Sequence, residues 1–282
     1  MAPAERPRLT IGLLTDAHYA DIPDRGDIAH RSALDRVAEA AEAFESVHTD
    51  FAVQLGDLID QTPESSAGDQ KRDLRRVYSE FARFRGEVHS VPGNHCLNVL
   101  PAEEYEQVLG APIGYRSFDQ AAFHFVFLNA CYRSDGVPYG NRCNEWFDAD
   151  IPRHEQEWLE EDLRNASEHV VVFVHHRLDA PPGDLYGILN AERTRTVLER
   201  SGKVTAVFQG HQHQNVLEVH NGIPYVTLHA VAHDIQTNAY SLLHLYGDGA
   251  LCLAGFGRHG DHPLIQLLSA RGENRLDTFS ES

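Results

Sequence analysis

Short apolar runs alternate with amphipathic stretches through the first ninety residues. The run LTIGLL at residues 9–14 predicts a strand, and Leu34, Val37, Ala38, Ala41 and Phe44 recur at helical spacing on one face. The signals then repeat. DFAVQL at residues 50–55 predicts a second strand, Leu74, Val77, Tyr78, Phe81 and Phe84 a second helix, and EVHSV at residues 87–91 a third strand. Strand, helix, strand, helix, strand is the order of a layered α/β fold.

The middle of the chain changes character. Phe123, Phe125 and Phe127 alternate to one side, predicting a half-buried hairpin strand, and residues 131–151 then read as a long polar loop insertion. Pro152 suits the first turn of a helix bearing Trp158, Leu159 and Leu163. HVVVFV at residues 169–174 is almost wholly apolar and predicts a central strand. Asn190 is placed to cap a helix through Val197 and Leu198, which leads into a strand at residues 204–208. Beyond Gln214 the pattern becomes all-β: Asn221-Gly222 and Asp248-Gly249 each separate two apolar runs, the chemistry of tight hairpin turns. The C-terminal third is therefore expected to supply a second sheet. The sum is a four-layer α-β-β-α sandwich of two mixed sheets flanked by helices, with residues 1–270 as one domain and 271–282 as a polar tail.

Composition narrows the function. The chain has 282 residues, 42% hydrophobic and 23% charged, enough to bury a sizeable core in a soluble protein. Its four cysteines show no CxxC spacing, which points to reduced thiols. The N-terminal apolar run is too brief for a signal peptide, and no segment approaches the roughly 20 apolar residues of a membrane span. A cytoplasmic location and no membrane partner follow as expectations. The formal charge of −18 argues against tracking along nucleic acid, which needs clustered Lys and Arg. A phosphate substrate would then need a different source of positive charge, and bound metal ions provide one.

Each predicted strand of the α/β part ends in metal-binding residue types. The ends are Asp16-x-His18, Gly56-Asp57-x-x-Asp60, Gly93-Asn94-His95, His175-His176 and Gly210-His211-x-His213. Ligands of open α/β sheets collect outside the carboxyl ends of the strands, so these five segments are expected to converge there. Imidazole, carboxylate and amide donors with no cysteine suit a hard or borderline divalent ion. Any one of these pieces is a common accident or an ordinary turn. Their joint occurrence, each after an apolar run, is not.

The series from Asp16 to His213 resembles the calcineurin-like metallophosphoesterase superfamily. The resemblance implies a dinuclear site at the strand ends holding two divalent ions per chain, of Mn, Fe or Zn. One ion would be held by Asp16, His18, Asp57 and His213, the other by Asp57, Asn94, His175 and His211, with Asp57 bridging. His176 is the alternative to His175 if the strand end is shifted. Two such ions about 4 Å apart clamp an in-line displacement and lower the pKa of water from 15.7 to about 7, so a bridging hydroxide is the expected nucleophile. The resemblance assigns His95 to the phosphate and the leaving group, and makes Asp57 and His95 the catalytic pair. Asp60 is expected to orient a neighbour rather than bind metal.

Two loops, HYADIPDRGD and CYRSDGVPYGNRCNEW, and the wording Gly93-Asn94-His95-Cys96 are similar to the branch that includes manganese-dependent ADP-ribose/CDP-alcohol diphosphatases. That similarity implies Arg133 on a distal phosphate, Tyr19 or Tyr139 stacked on a base, and Cys96 beside the substrate. The structural alternatives are an Arg133–Asp135 pair that shapes the loop and a Cys96 that fills space. The expected function is metal-dependent hydrolysis of a small phosphate ester, by a phosphodiesterase or a nucleoside-diphosphate-compound pyrophosphatase. A phosphomonoesterase would use the same cage. A metal-free scaffold would show gaps among the seven ligand positions, and there are none.

Overall fold

The computed structural model describes residues 6–166, 169–258 and 265–267; the tail expected at 271–282 lies outside them. Strands β1 (Leu9–Leu14), β2 (Phe51–Gln54) and β3 (Glu87–Ser90) run parallel, connected through helices α1 (Ala33–Ser46) and α2 (Ala67–Ser79). Two short helices follow, α3 (Cys96–Val99) and α4 (Ala102–Leu109). Periodicity does not reveal α4, because eight residues between Pro101 and a left-handed Gly110 (φ +71°) show barely two turns of pattern. The hairpin β4 (Arg116–Gln120) and β5 (Phe123–Phe127) opens the second half. It continues through α5 (Arg153–Asn165), β6 (Val170–Phe173), α6 (Ala191–Ser201) and β7 (Val204–Gln209), with β5, β6 and β7 parallel.

The C-terminal hairpins do not form a sheet of their own, contrary to expectation. The hairpin of β8 (Val216–His220) and β9 (Ile223–Thr227) pairs along β7, giving a sheet in the order β4-β5-β6-β7-β9-β8. The hairpin of β10 (Ala239–Leu245) and β11 (Leu251–Gly257) instead pairs along β1, and with β12 (Ile265–Leu267) gives the order β12-β11-β10-β1-β2-β3. Each hairpin thereby covers the open edge of a sheet that already exists, satisfying backbone groups that would otherwise be unpaired. The β8–β9 turn has the left-handed pair its sequence requires, Asn221 at φ +49° and Gly222 at φ +83°.

The two sheets face each other across an apolar layer in which Leu9, Ile11 and Leu13 of β1 meet Phe125, Phe173 and Phe208. The rings of Phe51 and Phe125 cross this layer with centroids 5.1 Å apart. Each such phenylalanine stabilises the fold by roughly 1.5–3 kcal/mol through burial. The opposite faces carry the helices, which completes the four layers. Strand β5 is buried along its whole length rather than on one side. Its phenylalanines face the other sheet while Val126 joins the cluster under the helices. Pro152 sits at the cap of α5, one place earlier than expected. Asn190 occupies the cap position of α6, but its side chain turns to Ile151, donating from Nδ2 to the carbonyl at 2.7 Å. Among the described residues no helix is long and apolar enough to cross a membrane.

Candidate metal centre and its cavity

β1, β2, β3, β6 and β7 point their carboxyl ends the same way, and the polar tips collect there. Three groups of donor atoms lie within 4.8 Å of one another: Asp16, His18 and His213; His18, Asp57 and His95; and Asp57, His175 and His211. Asp57 connects the groups through Oδ2, which is 3.1 Å from His175 Nε2 and 3.9 Å from His18 Nε2. On the other side, His213 Nε2 is 3.1 Å from Asp16 Oδ1 and 3.0 Å from His18 Nε2.

Local backbone geometry makes this convergence possible. Asp16, His18, Asp57, His211 and His213 all have φ between +48° and +71°, in the left-handed region that non-glycine residues rarely occupy. Each such residue costs about 1–3 kcal/mol and persists only where surrounding structure fixes it. Here the strand must turn sharply at its end to face the common centre. Two glycines permit the close approach: a Cβ at Gly56 would collide with the His175 ring, and one at Gly93 with the Asp57 carboxylate.

Neighbouring groups then fix the orientation of each donor. Thr15 Oγ1 donates to Asp16 Oδ2 at 2.5 Å and the His211 amide to the same oxygen at 3.1 Å, which turns Oδ1 inward. His175 Nδ1 donates to the Leu55 carbonyl at 2.8 Å, which fixes the ring so that Nε2 faces the centre. Asn94 Oδ1 and His211 Nε2 are buried and make no hydrogen bond. Orphaned buried acceptors are costly. These two aim into the polar centre that Asp16 and Asp57 also face, which is the arrangement a cation would satisfy.

The electrostatics agree. Burial alone would raise the pKa of Asp57, but His175 and His95 outweigh it and hold the carboxyl far below its ordinary value. Burial would likewise lower His175, yet Asp57 and Asp16 hold it up at about 9. His176 differs from its neighbour. Burial, reinforced by His175, pushes it down to about 3, and both its nitrogens are without a hydrogen bond. Its ring packs 4.6 Å from that of His211 rather than offering a donor to the grouped atoms.

His95 stands beside the cluster with its side chain 30% exposed. Its amide donates to Asp57 Oδ1 at 2.8 Å and its Nδ1 pairs with Asp60 Oδ1 at 2.7 Å. Burial opposes the charged ring, but Asp57 and Asp60 prevail and raise it to about 9. Asp60 is in turn held near 2, where His95 and His18 overcome its burial.

The expected substrate contacts are placed differently from the donors. Tyr19 is fully buried, Tyr139 is 2% exposed with its hydroxyl donating to the Asp148 carbonyl at 2.8 Å, and neither presents a ring face to a base. Cys96 is fully buried and accepts from Tyr105 Oη, so it fills space. Arg133 is held within its own loop, on Asp135 Oδ2 at 2.5 Å and on the Cys143 carbonyl at 3.2 Å. A cavity of about 550 Å³ opens above Asp57, Asn94, His95, His211 and His213, and its walls are Trp146, Tyr186, His229, His233 and Arg258. Sequence reasoning missed all five wall residues. Trp146 carried a signal, being one of only two tryptophans and set in the long polar loop; Arg258 carried none.

Residues 9–215 match the family model of the calcineurin-like phosphoesterases. The chain belongs to the calcineurin-like phosphoesterase family. It is a metal-dependent phosphoester hydrolase, with His and Asp groups positioned for a pair of divalent ions. A manganese-dependent ADP-ribose/CDP-alcohol diphosphatase of Oryza sativa subsp. japonica is 23% identical over 92% of this chain and 95% of its own length. A 3′,5′-cyclic adenosine monophosphate phosphodiesterase, CpdA of Haemophilus influenzae, is 24% identical over 78% of this chain and 75% of its own. Among solved structures, a dimetal phosphatase from Danio rerio superposes with a TM-score of 0.80 at 21% identity, covering 94% of this phosphoesterase and all of that chain. The fold is therefore that of the dimetal phosphatases.

Proposed function

We propose that this phosphoesterase hydrolyses a small nucleotide-like phosphodiester or diphosphate compound. The observation that carries the reading is the convergence of the unpartnered buried atoms Asn94 Oδ1 and His211 Nε2 with the Asp57 carboxylate at the floor of a cavity large enough for such a molecule. In this reading Asp16, His18, Asp57 and His213 hold one ion, Asp57, Asn94, His175 and His211 hold the other, and Asp57 bridges. Bound there, two divalent ions supply positive charge for the phosphate and a water of lowered pKa. The chain's own groups do the remainder. Hydrolysis forms one P–O bond to a water oxygen and breaks the P–O bond to the leaving group, whose oxygen must gain a proton. In this reading His95 supplies that proton, and Asp60, whose Oδ1 lies 2.7 Å from its Nδ1, sets the direction of its ring. Trp146 and Tyr186, each 38% exposed with ring centroids 5.6 Å apart, offer the planar surface on which a base stacks. The diphosphate and cyclic diester substrates in the relatives' names support the same class.

The test is turnover of the chelated chain after Mn²⁺ is added back, on p-nitrophenyl phosphate, bis(p-nitrophenyl) phosphate and ADP-ribose. Diester or diphosphate turnover above that of the monoester is expected. A monoester preference would replace this reading with that of a phosphomonoesterase.

A further inference from the structure

The cavity is asymmetric in a way that the donor cage does not require. Trp146 and Tyr186 pack beside His211, with ring centroids 5.9 and 5.5 Å away. On the opposite side His233 meets the ring of His213 at 4.8 Å, and His229 lies 6.1 Å beyond it. Arg258 completes that side and is the one Lys or Arg among the described residues lining the cavity. In a chain with a formal charge of −18, a guanidinium set on the wall above this cluster of metal-binding donors is a specific placement.

This wall is also built rigidly, from segments far apart in sequence. Asn215 joins two of them, its Oδ1 accepting from the His229 amide at 3.0 Å and its Nδ2 donating to the Arg258 carbonyl at 3.1 Å. The Arg258 amide donates to Asn238 at 2.9 Å. Beneath the loop, the buried Arg36 of α1 donates to the carbonyls of Val231, His233, Asp234 and Thr237 at 2.6–3.4 Å. Asp234 in turn holds Arg258 Nη1 at 2.9 Å, which orients the guanidinium while its side chain stays 38% exposed. A planar fork fixed at one nitrogen is suited to grip phosphate oxygens with the rest.

We propose that Arg258, with His233 beside it, forms a second phosphate subsite, and that Arg258 selects diphosphate compounds over simple mono- and diesters. The proposal rests on the hydrolase reading above and settles its substrate class. The phosphate being attacked lies over the donor cage, and its neighbour in the P–O–P chain lies against Arg258. The attacking water oxygen joins the first phosphorus, the bridging oxygen leaves with its electron pair, and that oxygen takes the proton.

The experiment compares kcat/KM on ADP-ribose and on bis(p-nitrophenyl) phosphate for the Mn²⁺-loaded full chain and its Arg258→Gln and Arg258→Lys variants. Loss of a charge-assisted contact predicts a fall on the order of 30-fold on ADP-ribose for Arg258→Gln, carried mainly by KM and roughly tenfold greater than the fall on the diester. Arg258→Lys should recover part of it. Independently of turnover, calorimetry should show ADP binding roughly tenfold tighter than AMP, a gap that closes in Arg258→Gln. Equal losses on both substrates, or an ADP–AMP gap indifferent to the substitution, overturn the proposal. A wild-type chain that cleaves the diester but not ADP-ribose overturns it too, leaving the phosphodiesterase reading intact. Inactivity on every ester with metal bound would remove that reading and this proposal together.

Discussion

Asp57 on the floor of the cavity is 1% exposed, whereas Trp146 on its wall is 38% exposed. The difference extends to backbone and chemistry. The floor residues stand at the ends of strands, five of them in left-handed conformations, and are fixed by Thr15, Leu55 and close glycine contacts. Most wall residues stand on irregular segments, 131–151 and 176–190 on one side and 229–238 on the other, with Arg258 directly after β11, and side chains such as Asn190, Asn215 and Arg36 tie them down. A rigid floor can keep donors where a reaction needs them. Walls on loops can vary without disturbing it, which is how one scaffold serves different esters.

Substitutions test this division, beginning with the floor. Asp57→Asn removes the charge shared by both donor groups, and kcat is expected to fall by about 10³-fold or more, with metal content dropping below two ions per chain by elemental analysis. Normal turnover in that variant would mean the floor is not the reaction centre. His95→Ala should slow kcat by about 10²-fold while both ions remain, since its ring acts on the leaving group. Loss of the ions there would recast His95 as a ligand. Trp146→Ala is expected to raise KM about tenfold with kcat and thermal midpoint little changed. A fall in kcat of the same size would erase the contrast between floor and wall.

The smallest effect lies outside both regions. His124 of β5 pairs with Asp162 at 2.8 Å and Asp119 at 2.8 Å, and the hydrogen bonds of these carboxylates outweigh burial to raise its pKa. A raised histidine pKa means that the folded state binds the proton more tightly than the unfolded one. The stabilisation is therefore complete below pH 6.5 and is lost as pH rises through the folded value. Unfolding midpoints measured from pH 6 to 9 should decline, and the decline should flatten in Asp162→Asn. An equal slope in the variant would exclude His124 as its source.

How much of this was readable in the chain follows from the range of the interactions. Asp16 and His18, or His211 and His213, are two residues apart, and it is the recurrence of such polar ends after five apolar runs, not any one spacing, that marks the site in the sequence. The strand ends could be aligned because apolar runs mark the strands. Tyr19 was misjudged for a complementary reason: it lies one residue from His18, yet its side chain turns into the core while the imidazole turns to the centre. Adjacency in sequence gives no direction. The partition of the two C-terminal hairpins was hidden as well, because the Asn221-Gly222 turn specifies a hairpin but not which open edge it joins.

By itself, the order of residues determined the local elements, the tight turns and the set of donor types at the strand ends, since each rests on contacts within a few positions. Only the tertiary structure decided which hairpin extends which sheet, which of His175 and His176 aims its nitrogen at the centre, and that Trp146, Tyr186 and Arg258 share one cavity. Those outcomes depend on groups brought together across 18 to more than 200 positions, and no periodicity encodes the direction from which such segments meet.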